Sequence, residues 1–302
     1  MNKSTDERLS RTVRRLQRSA LYRINRIARI IYSLRNKMLA DAPFHAVVAG
    51  AKLRLHPRGV VAFSVWSNYR VEVDELDFLA RHLQPGDVFC DVGANIGIFS
   101  LVGASRMSGS AGALRIFAFE PTPATYRTLA ANVSLNRFDC IETVNAAVGA
   151  EEGTATLYLN DVWKDGLNAL AKPQRGDAKV ISEVEVPVVT LDTFLRSRSV
   201  SRIDYLKIDV EGAELAVLEG ARLLLEASPN CIVIFECSVS NAAAFGYHPE
   251  KIMQLFRELG FQIMLFEEAG RLVPVPVDCY QGNMLAGRPE KLAQLGLMPV
   301  EK

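Results

Sequence analysis

Acidic side chains stand at the ends of several short apolar runs in this sequence, where buried strands are predicted to stop. Asp91 lies at the end of one run, Glu120 follows a second, Asp209 and Glu211 follow a third, and Glu236 ends a fourth. The carboxyl ends of parallel strands meet at one edge of an open sheet, where ligands bind. Carboxylates grouped there can orient a cationic ligand, accept hydrogen bonds from hydroxyl groups, or remove a proton. The pattern therefore predicts an acidic site at one sheet edge.

The glycine turn beside Asp91 favours a ligand that carries an ammonium group and no phosphate. Residues 91–97 read DVGANIG, a D-x-G-x-x-x-G pattern between a predicted strand and a predicted helix. A dinucleotide fingerprint has its second glycine where this sequence has Asn95, and an acid at position 91 would repel a diphosphate. The N–H groups of the helix N-terminus are expected to face the ligand. S-adenosylmethionine is a ligand of this kind; the alternative is an ordinary strand-to-helix turn.

Glu120 is predicted to bind the hydroxyl groups of a ribose. Residues 114–119 form an apolar run, and Pro121 ends it, so that Glu120 lies at the carboxyl end of a strand. A carboxylate in that position can accept hydrogen bonds from two neighbouring hydroxyl groups. The alternative roles are those of a solvated loop acid or a cap for the following helix.

Charge is distributed unevenly along the 302 residues, although the composition is that of an ordinary globular enzyme, with 49% hydrophobic and 23% charged residues. Residues 1–40 hold 11 lysines and arginines against two acids, so this segment carries +9 and the remainder −8. No secretory signal and no membrane span is expected, which predicts a cytoplasmic protein. The five cysteines form no C-x-x-C pair and predict buried thiols rather than a zinc site.

Residues 9–38 are predicted to form a basic amphipathic helix within an extension that covers residues 1–45. Their apolar residues recur at steps of three and four, and arginines occupy the other faces. Such a helix can lie on the inner face of an anionic membrane, pair with a second copy as a homodimer, or dock on its own domain. An organellar targeting segment is a further alternative.

The rest of the chain is predicted to be an α/β domain with a doubly wound sheet, because apolar strand-like runs alternate with helical patterns. A β-hairpin is expected over residues 47–73, with its turn at residues 56–59. Residues 160–182 show little periodicity and are predicted to form a substrate-facing lid, followed by a strand over residues 184–189.

Five runs of this sequence resemble the motifs of the FkbM-type methyltransferases, class I enzymes that use S-adenosylmethionine. They are the runs at residues 91–97, 119–121, 145–149, 190–192 and 207–214. The resemblance makes residues 46–302 the methyltransferase domain and implies a mostly parallel, seven-stranded Rossmann-like sheet with strand order 3-2-1-4-5-7-6. It also implies methyl transfer to a hydroxyl group of a sugar, glycolipid or polyketide-like acceptor. The cofactor-binding residues expected on this basis are Asp91, Gly93, Ala94, Asn95, Gly97, Glu120, Pro121, Asn145, Ala147 and Asp209.

Methylation of a hydroxyl group needs a base within hydrogen-bond reach of the acceptor. Asp209 is the first candidate for this catalytic role and Glu211 the second; the alternative for Asp209 is to bind the ammonium group of the cofactor. Together with Glu236, these two acids could also hold a divalent metal ion. A metal is not favoured, because the sequence shows no tight D-x-D spacing there.

Two other functions fit a similar cofactor-binding turn: methylation of nucleic acid or protein, and S-adenosylmethionine binding without catalysis. Enzymes that methylate a base amine resemble one another in an Asp/Asn-Pro-Pro-aromatic motif, whereas Val210 and Glu211 follow Asp209 in this sequence. The acidic charge beyond residue 40 also disfavours a track for phosphates, so no nucleic-acid partner is expected.

Overall fold

The structure is a computed structural model, and it describes residues 25–57, 60–67, 73–107, 114–160, 170, 180–267, 270–276 and 279–297. Within those residues, none of the helices combines the length and the apolar character that crossing a membrane requires. The helices are α1 (Asn25–Met38), α2 (Val60–Ser67), α3 (Val73–His82), α4 (Ile98–Met107), α5 (Pro123–Asn136), α6 (Leu191–Ser197), α7 (Glu214–Glu219), α8 (Arg222–Glu226), α9 (Val239–Ala244), α10 (Glu250–Glu258) and α11 (Pro289–Gln294). The strands are β1 (Phe44–Val48), β2 (Ala51–Leu55), β3 (Val88–Val92), β4 (Arg115–Phe119), β5 (Ile141–Val144), β6 (Ala147–Val148), β7 (Gly153–Asn160), β8 (Val180–Val189), β9 (Tyr205–Ile208), β10 (Ile232–Ser238), β11 (Gln262–Phe266), β12 (Leu272–Pro274) and β13 (Gln281–Gly287).

The central sheet has the strand order β12-β11-β13-β10-β9-β3-β4-β5. Strands β5, β4, β3, β9 and β10 are parallel neighbours, and β13 runs antiparallel to both β10 and β11. The predicted doubly wound, mostly parallel sheet is confirmed. The seven strands follow the implied order 3-2-1-4-5-7-6, and β12 adds an eighth strand at the edge beyond β11.

Two apolar clusters pack on the two sides of this sheet, because successive side chains of a strand point to opposite faces. In β3, Phe89 belongs to the cluster that includes α3 and α4, whereas Cys90 and Val92 belong to the cluster that includes α6 and α10. The cysteines at the sheet centre are free thiols, and Cys90 and Cys231 are fully buried, as the sequence predicts.

The predicted hairpin over residues 47–73 is wrong in its turn, which was expected at residues 56–59, and in its second strand. The hairpin pairs β1 with β2 through Ala49 and Gly50, which both have positive φ (45° and 91°), as the tightest hairpin turns require. The β-branched run that was expected to form a strand is helix α2 instead. Its Trp66 ring packs on Tyr32 of α1 at 5.0 Å, so tertiary packing overrides a weak local strand preference.

Helix α1 docks on the domain with the face that carries Tyr32, Arg35 and Asn36, all of which are buried. The Arg35 guanidinium lies over the Phe44 ring at 4.7 Å and donates to the Ala42 carbonyl. Leu34 of the predicted apolar stripe points to solvent. Residues 9–24 of the predicted helix lie outside the described residues, and the division of the chain at residue 45 stays a prediction.

A separate three-stranded sheet, in the order β6-β8-β7, covers the loop that follows β5. Strand β8 begins at Val180, four residues before the predicted start, because its pairing with β7 continues to Asn160. The predicted lid is therefore too long at its C-terminal end. Apart from Leu170, its residues from 161 to 179 lie outside the described part of the chain.

Two asparagines of α5 clamp the hairpin onto the central domain. The Arg54 N–H donates to Asn132 Oδ1 at 2.7 Å, and the Lys52 N–H donates to Asn136 Oδ1 at 2.8 Å. Asn132 also donates to the Ile96 carbonyl, in the loop between β3 and α4. Strand β2 is thereby fixed along α5, next to the glycine turn at residues 93–97, which we call the cradle loop.

Candidate active site

A cavity of about 70 Å³ opens at the carboxyl edge of the central sheet, where β3, β4 and β9 end side by side. The predicted site residues that line it are Gly93, Asn95, Glu120, Pro121, Ala147, Asp209 and Glu211. Further lining residues were not among the predicted site residues, among them Thr122, Val148, Leu157 and Leu170. Thr122 directly follows the run at residues 119–121 and Val148 lies within the run at residues 145–149, so both could have been found from the sequence. Leu157 lies on β7 of the smaller sheet and Leu170 lies further along the chain, so no local pattern places them at the cavity.

Asp91 does not line this cavity, although the sequence places it in the cradle. Its Oδ2 atom accepts hydrogen bonds from Ser100 Oγ at 2.6 Å and from the Ser100 N–H at 3.1 Å. Burial raises the pKa of the Asp91 carboxyl, while nearby Lys207 opposes that shift. Asp91 thus caps the beginning of α4 from inside the protein through Oδ2, its Oδ1 atom has no hydrogen-bond partner among the described residues, and its role in binding the cofactor stays a prediction.

Gly93 is required by the packing of the neighbouring strand. Its φ is +80°, and a Cβ atom at this position would lie 1.9 Å from the backbone carbonyl oxygen of Asp209. Gly97 has φ +92°, and a Cβ there would meet Leu129 of α5 at 2.6 Å. Both glycines therefore allow other parts of the chain to approach the cradle loop.

The N–H groups of the cradle loop are already bonded within the protein. Those of Gly93 and Ala94 donate to the Phe119 carbonyl at 3.0 and 2.9 Å, and that of Asn95 donates to Glu120 Oε2 at 3.0 Å. These three N–H groups are therefore not free to bind a ligand, whereas the expectation that the N–H groups at the N-terminus of α4 face a ligand stays a prediction. The loop consequently offers no array of these donors to a diphosphate, in agreement with the absence of the dinucleotide fingerprint.

Glu120 is buried at the edge of the cavity with both carboxylate oxygens engaged. Oε1 accepts from the Thr122 N–H at 2.8 Å and Oε2 from the Asn95 N–H. Each oxygen retains acceptor capacity, since a carboxylate has about four lone-pair sites. Burial raises the pKa of Glu120 to about 7, and the Thr122 and Asn95 hydrogen bonds oppose the shift. Asn145 holds this corner from behind by donating to the carbonyls of Glu120 and Pro121.

Three further acids converge at the ends of β9 and β10. Each of Asp209, Glu211 and Glu236 offers a carboxylate oxygen, and these oxygens all lie within 4.8 Å of one another. Asp209 Oδ2 pairs with the Lys207 ammonium at 3.0 Å. The group is the set of oxygen ligands that the sequence offers to a divalent ion, and the expectation that a metal is not favoured stays a prediction.

Glu211 lies in a strained and acidic environment. Its backbone has φ +54°, and its Oε2 atom accepts from Asn241 Nδ2 at 3.0 Å. Burial raises its pKa to about 8, and the charges of Asp209, Glu236 and Glu214 add to the shift. A carboxyl group with this pKa exchanges a proton near neutral pH, which suits a general acid or base.

Comparison with known proteins identifies the fold that carries these acids. The sequence profile described as the methyltransferase FkbM domain matches residues 91–263. The chain belongs to the FkbM methyltransferase family. The matched segment contains each of the strand-terminal acids described above, whereas α1, the hairpin and α2 precede it.

Similar proteins of this family come from fungi, bacteria and archaea. Methyltransferase 1 of Beauveria bassiana is 31% identical over 185 residues, which cover 52% of this chain and 72% of that protein. The 31-O-demethyl-FK506 methyltransferase FkbM of Streptomyces tacrolimicus is 30% identical over 46% of this chain and 60% of its own length. The hexuronic acid methyltransferase AglP of Haloferax volcanii is 26% identical over 64% of this chain and 74% of its own.

Proposed function

We propose that this methyltransferase moves a methyl group from S-adenosylmethionine to a hydroxyl group of a sugar-like, lipid-linked or polyketide-like acceptor. The observation that carries the proposal is the placement of the buried Glu120 carboxylate and the acidic pair of Asp209 and Glu211 around one cavity. A ribose-binding acid and acids suited to a cation are the features that this cofactor needs. The names of two relatives specify an O-demethylated compound, 31-O-demethyl-FK506, and a hexuronic acid, both of which suit an oxygen acceptor.

The residues at the sheet edge fit the cofactor chemically. Glu120 would accept the ribose hydroxyl groups with its remaining lone pairs, and Ala147 and Val148 provide an apolar wall for adenine. Asp209 and Glu211 would face the positively charged end of the molecule. The cavity of about 70 Å³ is smaller than the roughly 300–1,000 Å³ of typical ligand sites. Binding therefore requires its walls, to which Leu157 and Leu170 contribute, to move outward.

The cofactor supplies an electrophilic methyl group when bound, so the protein has to position the acceptor and remove its proton. Glu211 is the better base, because only its Oε2 atom accepts a hydrogen bond from the described residues. Asp209 is already paired with Lys207 and orients the acceptor hydroxyl. This assignment reverses the order expected from the sequence, in which Asp209 is the first candidate.

Cofactor affinity is expected to depend on the ionisation of Glu120. The carboxylate form accepts two hydroxyl donors, whereas the protonated form has less capacity to accept, so ligand binding favours ionisation. Since the pKa of Glu120 is raised to about 7, affinity is full above this pH and is lost as the pH falls through it. Calorimetry with S-adenosylhomocysteine should show roughly tenfold weaker binding at about pH 6 than at about pH 8. Glu120→Gln should bind weakly at both pH values; equal wild-type affinity at both would contradict the ribose role.

Turnover is expected to depend on Glu211 in its ionised form. The value of kcat/KM should rise with pH and reach a plateau above about pH 8, because the base has to be deprotonated. Glu211→Gln should lower turnover by roughly 10²–10⁴-fold while S-adenosylhomocysteine still binds. Turnover is measured as the transfer of tritiated methyl groups from S-adenosylmethionine to the compounds of a small-molecule extract. If Asp209→Asn loses turnover while Glu211→Gln keeps it, Asp209 is the base; full activity in both variants would contradict the mechanism.

A further inference from the structure

A second cavity, which we call the basic groove, adjoins the one at the sheet edge. It measures about 570 Å³, within the range of roughly 300–1,000 Å³ of small-molecule sites, and shares Asn95, Thr122 and Thr125 with the first cavity. Strand β2, the residues after it, α2 and α5 form its other walls. A molecule lying in the basic groove therefore extends directly from the carboxyl edge of the sheet.

Positive charge is concentrated in this groove. Arg54, His56 and Arg127 line it. Among the described residues of its lining, Asp41 is the acidic one. Among the described residues, no carboxylate forms an ion pair with the guanidinium of Arg54 or Arg127. The chain beyond residue 40 has a net charge of −8, so a groove lined by two arginines is opposite in charge to the domain as a whole.

The hydrogen bonds that hold the hairpin on α5 bring these cationic side chains to the same groove. The hydrogen bond from the Arg54 N–H to Asn132 places β2 beside α5, and Arg54 and His56 share one face of the extended chain. Arg127 lies on the first turns of the same helix, where its Nε–H donates to the Pro123 carbonyl. Both arginines are exposed and retain free N–H donors for a ligand.

We propose that the basic groove binds a negatively charged group of the methyl acceptor, a carboxylate or a phosphate, at a distance from the hydroxyl that is methylated. This inference rests on the proposed function, since it assigns the substrate class of the same site. The acids at the sheet edge repel an anion, so an acceptor anion is stabilised only away from them. Arginine guanidinium groups form paired hydrogen bonds with carboxylates and phosphates, and a neutral acceptor gains nothing from them.

The test uses the full chain, tritiated S-adenosylmethionine and a small-molecule extract, with the products separated on an anion exchanger. The labelled product is expected to be retained at about pH 7. Retention that persists at about pH 2.5 indicates a phosphate, because a carboxylate is then protonated; retention lost at that pH indicates a carboxylate. Unreacted S-adenosylmethionine is cationic and is first removed on a cation exchanger. Label that then appears only in a neutral product overturns the inference while leaving the proposed function intact. The absence of any labelled product overturns both.

Substitution of the arginines supplies the second measurement. With the retained acceptor purified, the double variant Arg54→Gln/Arg127→Gln should raise the acceptor KM by roughly tenfold or more, with kcat within about twofold of the wild-type value. Binding of S-adenosylhomocysteine should not change, which shows that the variant folds. Arg81→Gln is the matched control, because Arg81 is also exposed on a helix and its Nε–H donates to the carbonyl four residues earlier. An unchanged KM in the double variant overturns the assignment.

A different observation concerns helix α1, whose outward face consists of Ile30, Leu34 and Met38. These side chains are 59%, 53% and 57% exposed, and they recur at a spacing of four residues on the side opposite the buried Tyr32 and Arg35. The apolar stripe predicted from the sequence thus lies in part on a surface that the domain does not cover. Residues 1–40, which include this face, carry a net charge of +9.

We infer that the outward face of α1 contacts an anionic bilayer surface. Charge favours a bilayer over a second copy of the chain at this face. Pairing would bring two segments that each carry +9 together, whereas anionic lipids attract such a segment. Lysines and arginines close to such a surface strengthen the attachment, and apolar side chains add a shallow insertion. The contact is therefore reversible and sensitive to salt.

Vesicle co-sedimentation tests this contact. The full chain should pellet with vesicles of phosphatidylserine and phosphatidylcholine, less so at high salt, and not with phosphatidylcholine alone. The triple variant Ile30→Ser/Leu34→Ser/Met38→Ser should lose most of this binding, whereas Leu223→Ser, which alters an equally exposed leucine on α8, should not. No pelleting of the wild type, or a change from dimer to monomer in the triple variant with vesicle binding unaltered, overturns the inference. Unchanged S-adenosylhomocysteine binding confirms that the variants fold.

Discussion

The close approach of β9 to Gly93 is the contact on which the site depends. The Asp209 N–H donates to the Val92 carbonyl at 3.0 Å, and the Asp209 carbonyl oxygen then occupies the space where a Cβ of residue 93 would lie. Because glycine leaves that space open, the acids that follow β9 meet the same cavity as Glu120, which follows β4. A larger residue at position 93 would separate these two groups of acids, whatever the residues of the site themselves were.

Carboxylates outnumber cations in the part of the site that the structure describes. The ammonium group of Lys207 lies among these carboxylates. It pairs with Asp209, and its charge opposes the upward shift in the pKa of buried Asp91. Burial raises the pKa values of Glu120 and Glu211 in spite of the hydrogen bonds that each accepts. A cationic ligand would favour their ionised forms. Perturbed acids that cluster in a cavity are typical of functional sites rather than of stabilising ion pairs.

The strand-terminal acids could be predicted from the sequence because each follows a short apolar run, a local pattern. The run at residues 60–65 shows the limit of such patterns: its β-branched residues indicate a strand, but contacts with α1 hold it as a helix. Of the alternatives left open for the basic helix, docking on its own domain is seen for the face of α1 that carries Tyr32 and Arg35, whereas membrane contact, pairing and targeting stay predictions. Sequence spacing alone does not show which face of a helix meets the core.

Partners from distant parts of the chain explain the remaining differences at the site. Asp91 bonds Ser100 instead of facing the cavity, and the cradle N–H groups donate to residues of β4 and the loop after it. Neither arrangement is encoded in the D-x-G-x-x-x-G pattern itself. The interaction of Glu211 with Asn241 likewise joins segments 30 residues apart. The chemical type of the site was therefore predictable, whereas the assignment of roles within it required the tertiary structure.

The central claim is that this edge of the sheet takes a nucleoside cofactor without a diphosphate, because its cradle N–H groups are bonded to the end of β4. Parallel calorimetric titrations of the full chain with S-adenosylmethionine, S-adenosylhomocysteine and NAD test it most directly. The account predicts saturable heats with a stoichiometry of about one for the first two ligands and no measurable binding of NAD under the same conditions. Binding of NAD as tight as that of S-adenosylmethionine, or failure of both S-adenosyl compounds to bind, would contradict it.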